Sequence, residues 1–392
     1  MTSPHLSRRS LTGIALAGAA ALAATGTLPA SRAHAADSAD SALPPLDTRA
    51  LQAALDDLEH PPATAAQLKV AGSAGRWYGT SGVADVRTGR PVQEDDRIRI
   101  GSVTKVFVAT VALQLVAERR LDLATPVQRL LPGLLPDRFA PITLAQLLNH
   151  TSGLPDHVGL PELDTPEQVF RHRFDHWTPE RFVETATRRP LKFAPGTCQE
   201  YRGVNYVLAA LLIERITGRP YGEAVTARLL RPLRLTRTSV PGDDPRIHGP
   251  HVHGYLRMTD GRLRDVTTYD MSASRGEGDM ISTPKDLDRL LSALFSGVLL
   301  PPRLLAKMFT LPPPEVRMLD GTPARYSTGL QTATVNGIAL WGKSGEHYGY
   351  KSVLLSTRDQ QRRVVISGNP TTLGDGNESR LIERVLGVLT RR

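Results

Sequence analysis

Arg97-Ile98-Arg99-Ile100-Gly101-Ser102-Val103-Thr104-Lys105 is the stretch that decides how this chain reads. Its first four residues alternate polar and apolar, which predicts a short half-buried strand, and Gly101 supplies the turn after it. From Ser102 onward, Val103, Val106, Phe107, Val108, Val111, Leu113, Leu115 and Val116 leave almost no polar face. A run apolar on all sides predicts a central, buried helix. Ser102 and Lys105, three residues apart, share one face of that helix. Lysine in the first turn of a buried helix is partly desolvated and sits near the positive end of the helix dipole. Both effects favour the neutral amine. A neutral lysine amine takes the proton of a serine hydroxyl and so turns a weak nucleophile into a reactive one. S-x-x-K is common in long chains, so the pair gains weight only from partner motifs elsewhere in the chain.

Two further segments are needed to complete such a site. Pro195-Gly196-Thr197-Cys198-Gln199-Glu200-Tyr201 precedes a strongly apolar helix over Val204 to Thr217, which Gly218 closes. Gly342-Lys343-Ser344-Gly345 falls within a C-terminal run of three strands, Gly337 to Gly345, Tyr350 to Ser356 and Arg362 to Ser367, joined by short turns. Near the other end, Gln67 to Val70 and Arg76 to Val86 read as strands after a helix over Asp47 to Glu59. Ser282-Thr283-Pro284 starts a helix that runs through Phe295, and Glu378 to Leu389 is amphipathic. Between these ends, Leu121 to about Asp270 reads as helical segments broken by proline loops. The expected fold is therefore α+β: an antiparallel sheet formed from both chain ends, flanked by helices, with a mainly helical lobe inserted at roughly residues 121–270.

These segments together resemble the serine β-lactamase and DD-peptidase superfamily, in the branch of class C β-lactamases, secreted D-alanyl-D-alanine carboxypeptidases and related esterases. The stretches that carry the resemblance are Arg97 to Lys105, Leu147-Leu148-Asn149-His150-Thr151-Ser152-Gly153-Leu154, and Phe193 to Tyr201. Asn205 to Leu208, Glu214 to Gly218 and Gly342 to Gly349 complete the set. Each motif alone is weak; in this order over most of the chain they are specific. The resemblance implies a β-lactamase/transpeptidase-like fold and a set of roles. Ser102 would be the acylated nucleophile, Lys105 would assist its deprotonation, and Tyr201 would pass a proton to the leaving group. The backbone N–H groups of Ser102 and Glu346 would form the oxyanion hole. Lys343, Ser344 and Gly345 would line the docking strand, with the Lys343 cation holding a terminal carboxylate. One departure stands out. The family commonly carries tyrosine, any residue, then asparagine, whereas here the triplet is Tyr201-Arg202-Gly203. That asparagine holds the substrate's side-chain carbonyl and helps orient the lysine, and Gly203 does neither. Arg202 becomes a candidate substrate contact, and altered specificity is expected rather than a dead enzyme.

The chain has 392 residues and a formal charge of +9. Ser7-Arg8-Arg9-Ser10-Leu11, a modestly apolar run to Ala30 and Ala33-His34-Ala35 read as a twin-arginine export signal over residues 1–35. That segment holds three arginines and no acid, so its removal leaves +6 on residues 36–392. The expected enzyme is extracytoplasmic, without stable membrane insertion after processing. A moderate positive charge suits anionic polymers, and no nucleic-acid motif accompanies it. Cys198 is the only cysteine, so no intrachain disulfide forms. No metal or other cofactor is expected: His248, His251 and His253 lie in a Gly/Pro-rich loop without cysteine. His172, Asp175 and His176 read as surface, His150 as a hydrogen-bonding partner for a turn, and His347 as a rim residue. The absence of any G-x-S-x-G elbow argues against an α/β-hydrolase.

The leading functional expectation is a serine acyl hydrolase or acyltransferase, D-alanyl-D-alanine carboxypeptidase-like and penicillin-binding. Its expected ligand is a peptidoglycan stem peptide or a β-lactam. An esterase or amide-forming transacylase acting on a secondary metabolite is the first alternative. A non-catalytic penicilloyl-binding protein is the second.

Overall fold

A computed structural model describes residues 43–373 and 380–391. The export segment expected at residues 1–35 and Glu378 lie outside the described residues. Among the described residues no helix is long and apolar enough to cross a membrane.

A seven-stranded antiparallel sheet joins the two ends of the chain. Its strands are β1 (Ala63–Ala71), β2 (Trp77–Asp85), β3 (Arg90–Pro91), β4 (Gln331–Val335), β5 (Ile338–His347), β6 (Tyr350–Ser356) and β7 (Arg363–Pro370). Their order is β4-β5-β6-β7-β1-β2-β3, so β1 pairs with β7, Leu68 facing Ile366 and Val70 facing Val364. β6 is buried along its whole length, as a strand covered on both faces must be. The helices α1 (Thr48–Asp56) and, much later, the C-terminal helix Arg380–Leu389 cover one face. Leu51, Leu55, Ile382, Val385 and Leu386 pack there against Leu68, Val353, Leu355 and Ile366.

The other face carries the helical lobe. α2 (Thr104–Ala117) is buried on nearly all sides, as its sequence demands, and packs on α3 (Val204–Thr217). Shorter helices over Leu144–Leu148 and Pro179–Thr187 pack on α3, while the helix Pro166–His172 joins a separate small apolar cluster through Val169. α4 (Pro284–Phe295) lies against β7 and β1, with Thr283 capping its first turn through Asp286 N. With the C-terminal helix numbered α5, the core elements are complete. The helix expected to start at Ser102 begins instead with a 3₁₀ turn over Gly101–Val103 before α2 proper. The reason is local. Gly101 adopts φ +49°, and a side chain there would come within 2.5 Å of the Glu346 backbone nitrogen. Only glycine allows the turn to sit directly under β5. The edge strand β4 has no counterpart among the strands expected from the sequence.

Candidate active site

Three elements carry the reactive groups to one point. The 3₁₀ turn presents Ser102, the first turn of α2 presents Lys105, and the loop before α3 presents Tyr201. Ser102 Oγ accepts a hydrogen bond from Lys105 Nζ at 3.0 Å and one from Tyr201 Oη at 2.6 Å. Lys105 is fully buried; burial pushes its amine below the usual lysine range, and the Glu277 carboxylate pushes back. Burial holds the Tyr201 phenol well above its usual range, and the Glu277 charge adds to that. Tyr201 therefore keeps its phenol proton at ordinary pH.

β5 closes the site from the side. Gly345 lies against the Ile100 carbonyl so closely that a side chain would collide with it. The Glu346 peptide in turn lies against Gly101, one residue before Ser102. The side chain of Glu346 turns to Lys351, 3.0 Å away, leaving only its backbone for the site. Lys343 is 4 % exposed; its Nζ donates to Gln331 Oε1 at 3.1 Å and to the Ser344 carbonyl at 2.9 Å, and lies 4.8 Å from the Tyr201 ring centre. Burial, with the Lys105 charge added, pushes its amine well below the lysine range. Ser344 Oγ lies 3.4 Å from the same Gln331 oxygen.

Arg202 departs from its expected place. Its guanidinium pairs with Asp156 at 2.5 Å and Glu200 at 2.6 Å, and its side chain is 8 % exposed. Lys192 bonds the same two acids. Arg202 thus holds the loop around Tyr201 together rather than reaching for substrate, because two carboxylates within reach outcompete a distant one. His150 does more than close a turn. It adopts φ +62°, bonds Asn205 Nδ2 at 3.1 Å through Nδ1, and packs on the Tyr201 ring at 4.4 Å. The histidines of the Gly/Pro-rich loop each have a separate partner: Asp244 for His248, the Gly249 carbonyl for His251 and Asp265 for His253.

Glu277 belongs to the site although no sequence motif marks it. Lys105 Nζ donates to its carboxylate Oε2 at 2.7 Å and to its carbonyl at 2.6 Å. The loop bearing it is tied down by Asp279, which accepts from Gly276 N and from Tyr221 Oη in the interior. Burial raises the Asp279 carboxyl to about 6. A cavity of about 380 Å³ lined by Arg219, Tyr221, Arg231 and Arg275 shares Arg275 with this loop but holds none of the reactive groups.

Residues 55–386 match the family described as Beta-lactamase. The chain belongs to the beta-lactamase family. Within that fold it is similar to a D-stereospecific amidohydrolase from Streptomyces sp., with 34 % identity and TM-score 0.75 over 86 % of this chain and 98 % of the other. It is also similar to a D-amino acid amidase from Ochrobactrum anthropi, solved with D-phenylalanine, at 26 % identity and TM-score 0.72 over 87 % and 98 %. Esterase EstB of Burkholderia gladioli is 34 % identical over 205 residues, 46 % of this chain and 48 % of the esterase. The chain spans about half the length of curated relatives such as this esterase and a putative penicillin-binding protein of Bacillus subtilis. Esterases, D-aminopeptidases, D-amino acid amidases and penicillin-binding proteins all occur among its relatives, so the beta-lactamase fold here is that of a serine hydrolase family.

Proposed function

We propose that this protein is a serine acyl hydrolase that forms an acyl-enzyme on Ser102 and acts on amides or esters whose acyl side is a D-amino acid. The observation that carries the chemistry is the position of Ser102 Oγ between Lys105 Nζ and Tyr201 Oη. Neutral Lys105 takes the Ser102 proton as Oγ attacks the scissile carbonyl. The backbone N–H groups of Ser102 and Glu346 receive the developing oxyanion, a contribution of about 3–4 kcal/mol per donor at such sites. Tyr201 gives its proton to the departing amine or alcohol and recovers one from Lys105. Water, activated by the same base, then releases the acid.

The D-preference is supported by likeness to the Streptomyces amidohydrolase and the Ochrobactrum amidase, both matched over nearly their whole length. A D-alanyl-D-alanine carboxypeptidase falls inside the same class, because its scissile bond also follows a D-residue. Lys343 supports that narrower reading, since its amine lies 4.8 Å from the Tyr201 ring centre. Burial argues the other way: an amine held below the lysine range is a poor permanent counter-ion for a carboxylate. Export by the twin-arginine route is part of the proposal and rests on residues 7–35 alone.

Release of product from D- and L-amino acid amides, their methyl esters and an N-acyl-D-alanyl-D-alanine peptide tests this reading, with Ser102→Ala as control. The expected result is turnover of the D-amides and D-esters that Ser102→Ala abolishes. Equal rates on both enantiomers, or turnover that survives Ser102→Ala, overturns it.

A further inference from the structure

Gly203 is the clue. It stands where the resembling enzymes carry asparagine, two residues after the proton-carrying tyrosine. Its backbone sits at φ −63°, ψ −45° as the N-cap of α3, an ordinary right-handed conformation open to any residue. Nothing in the chain path requires glycine. The requirement is spatial: a Cβ built at Gly203 would lie 2.6 Å from Glu277 Cδ, in the middle of its carboxylate. The volume vacated by the missing side chain is filled by a carboxylate from a loop 74 residues further on. That carboxylate bonds Lys105 at 2.7 Å.

We propose that Glu277 is a positioning residue that takes over the lysine-orienting duty of the absent asparagine, with Gly203 as the substitution that admits it. Lys105 Nζ has three acceptors, Ser102 Oγ, Glu277 Oε2 and the Glu277 carbonyl, and two of them come from this one residue. The amine is thereby aimed at Ser102 Oγ in both its protonation states. The charge matters as well as the direction. Burial drives Lys105 toward the neutral form, and Glu277 offsets that, keeping the amine able to hold the serine proton while the acyl-enzyme forms. The other groups around Lys105 are the Tyr201 and Tyr206 rings, Tyr326, Asp279 and Lys343; burial, with the Lys105 and Lys343 charges added, depresses His150. Among them Glu277 supplies the carboxylate in direct contact.

The inference rests on the acyl-enzyme reading above, and its test separates the two. Glu277→Gln keeps size and acceptor but removes charge. Its kcat falls about ten- to a hundredfold with KM little changed, as expected for a group acting through the base. The acid limb of kcat/KM moves down by about one pH unit, because an ammonium without its anion releases its proton earlier. Gly203→Ala pushes the carboxylate aside and reproduces both changes. In a Glu277→Ala background, Gly203→Ala adds no further loss, since the atom it would strike is gone. Gly203→Asn combined with Glu277→Gly restores part of the rate by returning the asparagine. An unshifted acid limb in Glu277→Gln, or multiplicative losses from Gly203→Ala and Glu277→Ala, overturns the assignment. Activity that survives Ser102→Ala instead defeats the acyl-enzyme reading and leaves the pairing of Glu277 with Lys105 to be judged by the limb shift alone. Circular dichroism of each variant identifies any that fail to fold, and Gly203→Ala, which the backbone accommodates, then carries the test.

Discussion

Glu277 changes what an incoming acyl group meets beside the nucleophile. An asparagine amide offers a donor and an acceptor, whereas a carboxylate offers acceptors only. The Glu277 side chain retains 20 % exposure next to Lys105, enough to face a ligand. A donor with a free α-ammonium finds an acceptor there, and an N-acylated donor presents its carbonyl oxygen to a like-signed charge. The expectation is that kcat/KM for a D-amino acid ester with a free amine exceeds that for its N-acetyl analogue by about tenfold or more. Paired initial-rate measurements check this, and the gap should close in Glu277→Gln. That Ser102, Lys105 and Tyr201 meet was legible in the sequence because each lies in a short, recognisable motif. Glu277 was not, because its partner Lys105 is 172 positions away and nothing local marks it. The one available signal was Gly203 itself, a missing side chain that some other residue had to replace.

Between elements, a buried polar relay joins the turn after the helix Leu144–Leu148 to α3. Asn205, fully buried, accepts from Ser152 Oγ at 2.7 Å and meets His150 Nδ1 at 3.1 Å, while His150 packs on Tyr201. Tyr206 on the same helix donates to the Leu148 carbonyl at 2.8 Å. Place in the sequence alone suggests that Asn205 packs on its own helix; its partners lie 53 and 55 residues away, beyond what periodicity reveals. Asn205→Ala leaves Ser152 and His150 without that partner, at a cost of about 1–3 kcal/mol for each buried group. The urea midpoint should fall with unchanged m, and kcat should fall with it because the ring under Tyr201 loses its anchor. Asn205→Asp keeps the acceptor for Ser152 but buries a carboxylate against the accepting His150 Nδ1, so its urea midpoint should fall at least as far as that of Asn205→Ala. The strands of the sheet divide in the same way. β6 and β7 announced themselves by dense apolar runs. β4, Gln331-Thr332-Ala333-Thr334-Val335, is an edge strand with only Gln331 buried, so it carries almost no hydrophobic pattern.

The molecule holds together only if both chain ends arrive at the same sheet. β1 and β7 are more than 290 positions apart at their paired residues, with Gln67 facing Ser367. The face they share is sealed by α1 and α5, whose contact binds Leu51 and Leu55 to Leu381, Ile382, Val385 and Leu386 in one cluster. Each of these α5 side chains is at most 6 % exposed. Full burial of such a residue contributes about 1.5–3 kcal/mol, so the four together, about 6–12 kcal/mol, are comparable with the roughly 5–15 kcal/mol by which a domain is stable. A chain stopped after Leu373 should therefore fail to give a cooperative thermal transition, even though Ser102, Lys105 and Tyr201 are still present. Val385→Ala, which removes two methyl groups from a site with no exposure, should lower stability by about 1–3 kcal/mol while leaving kcat for the remaining folded protein unchanged. If the truncated chain instead melts cooperatively near the full-length temperature, α5 is an ornament on a sheet that closes without it. Retention of activity by that truncated chain would mean the same, because Ser102 is positioned through β5 and β6, and these can be in register only when β7 is held against β1.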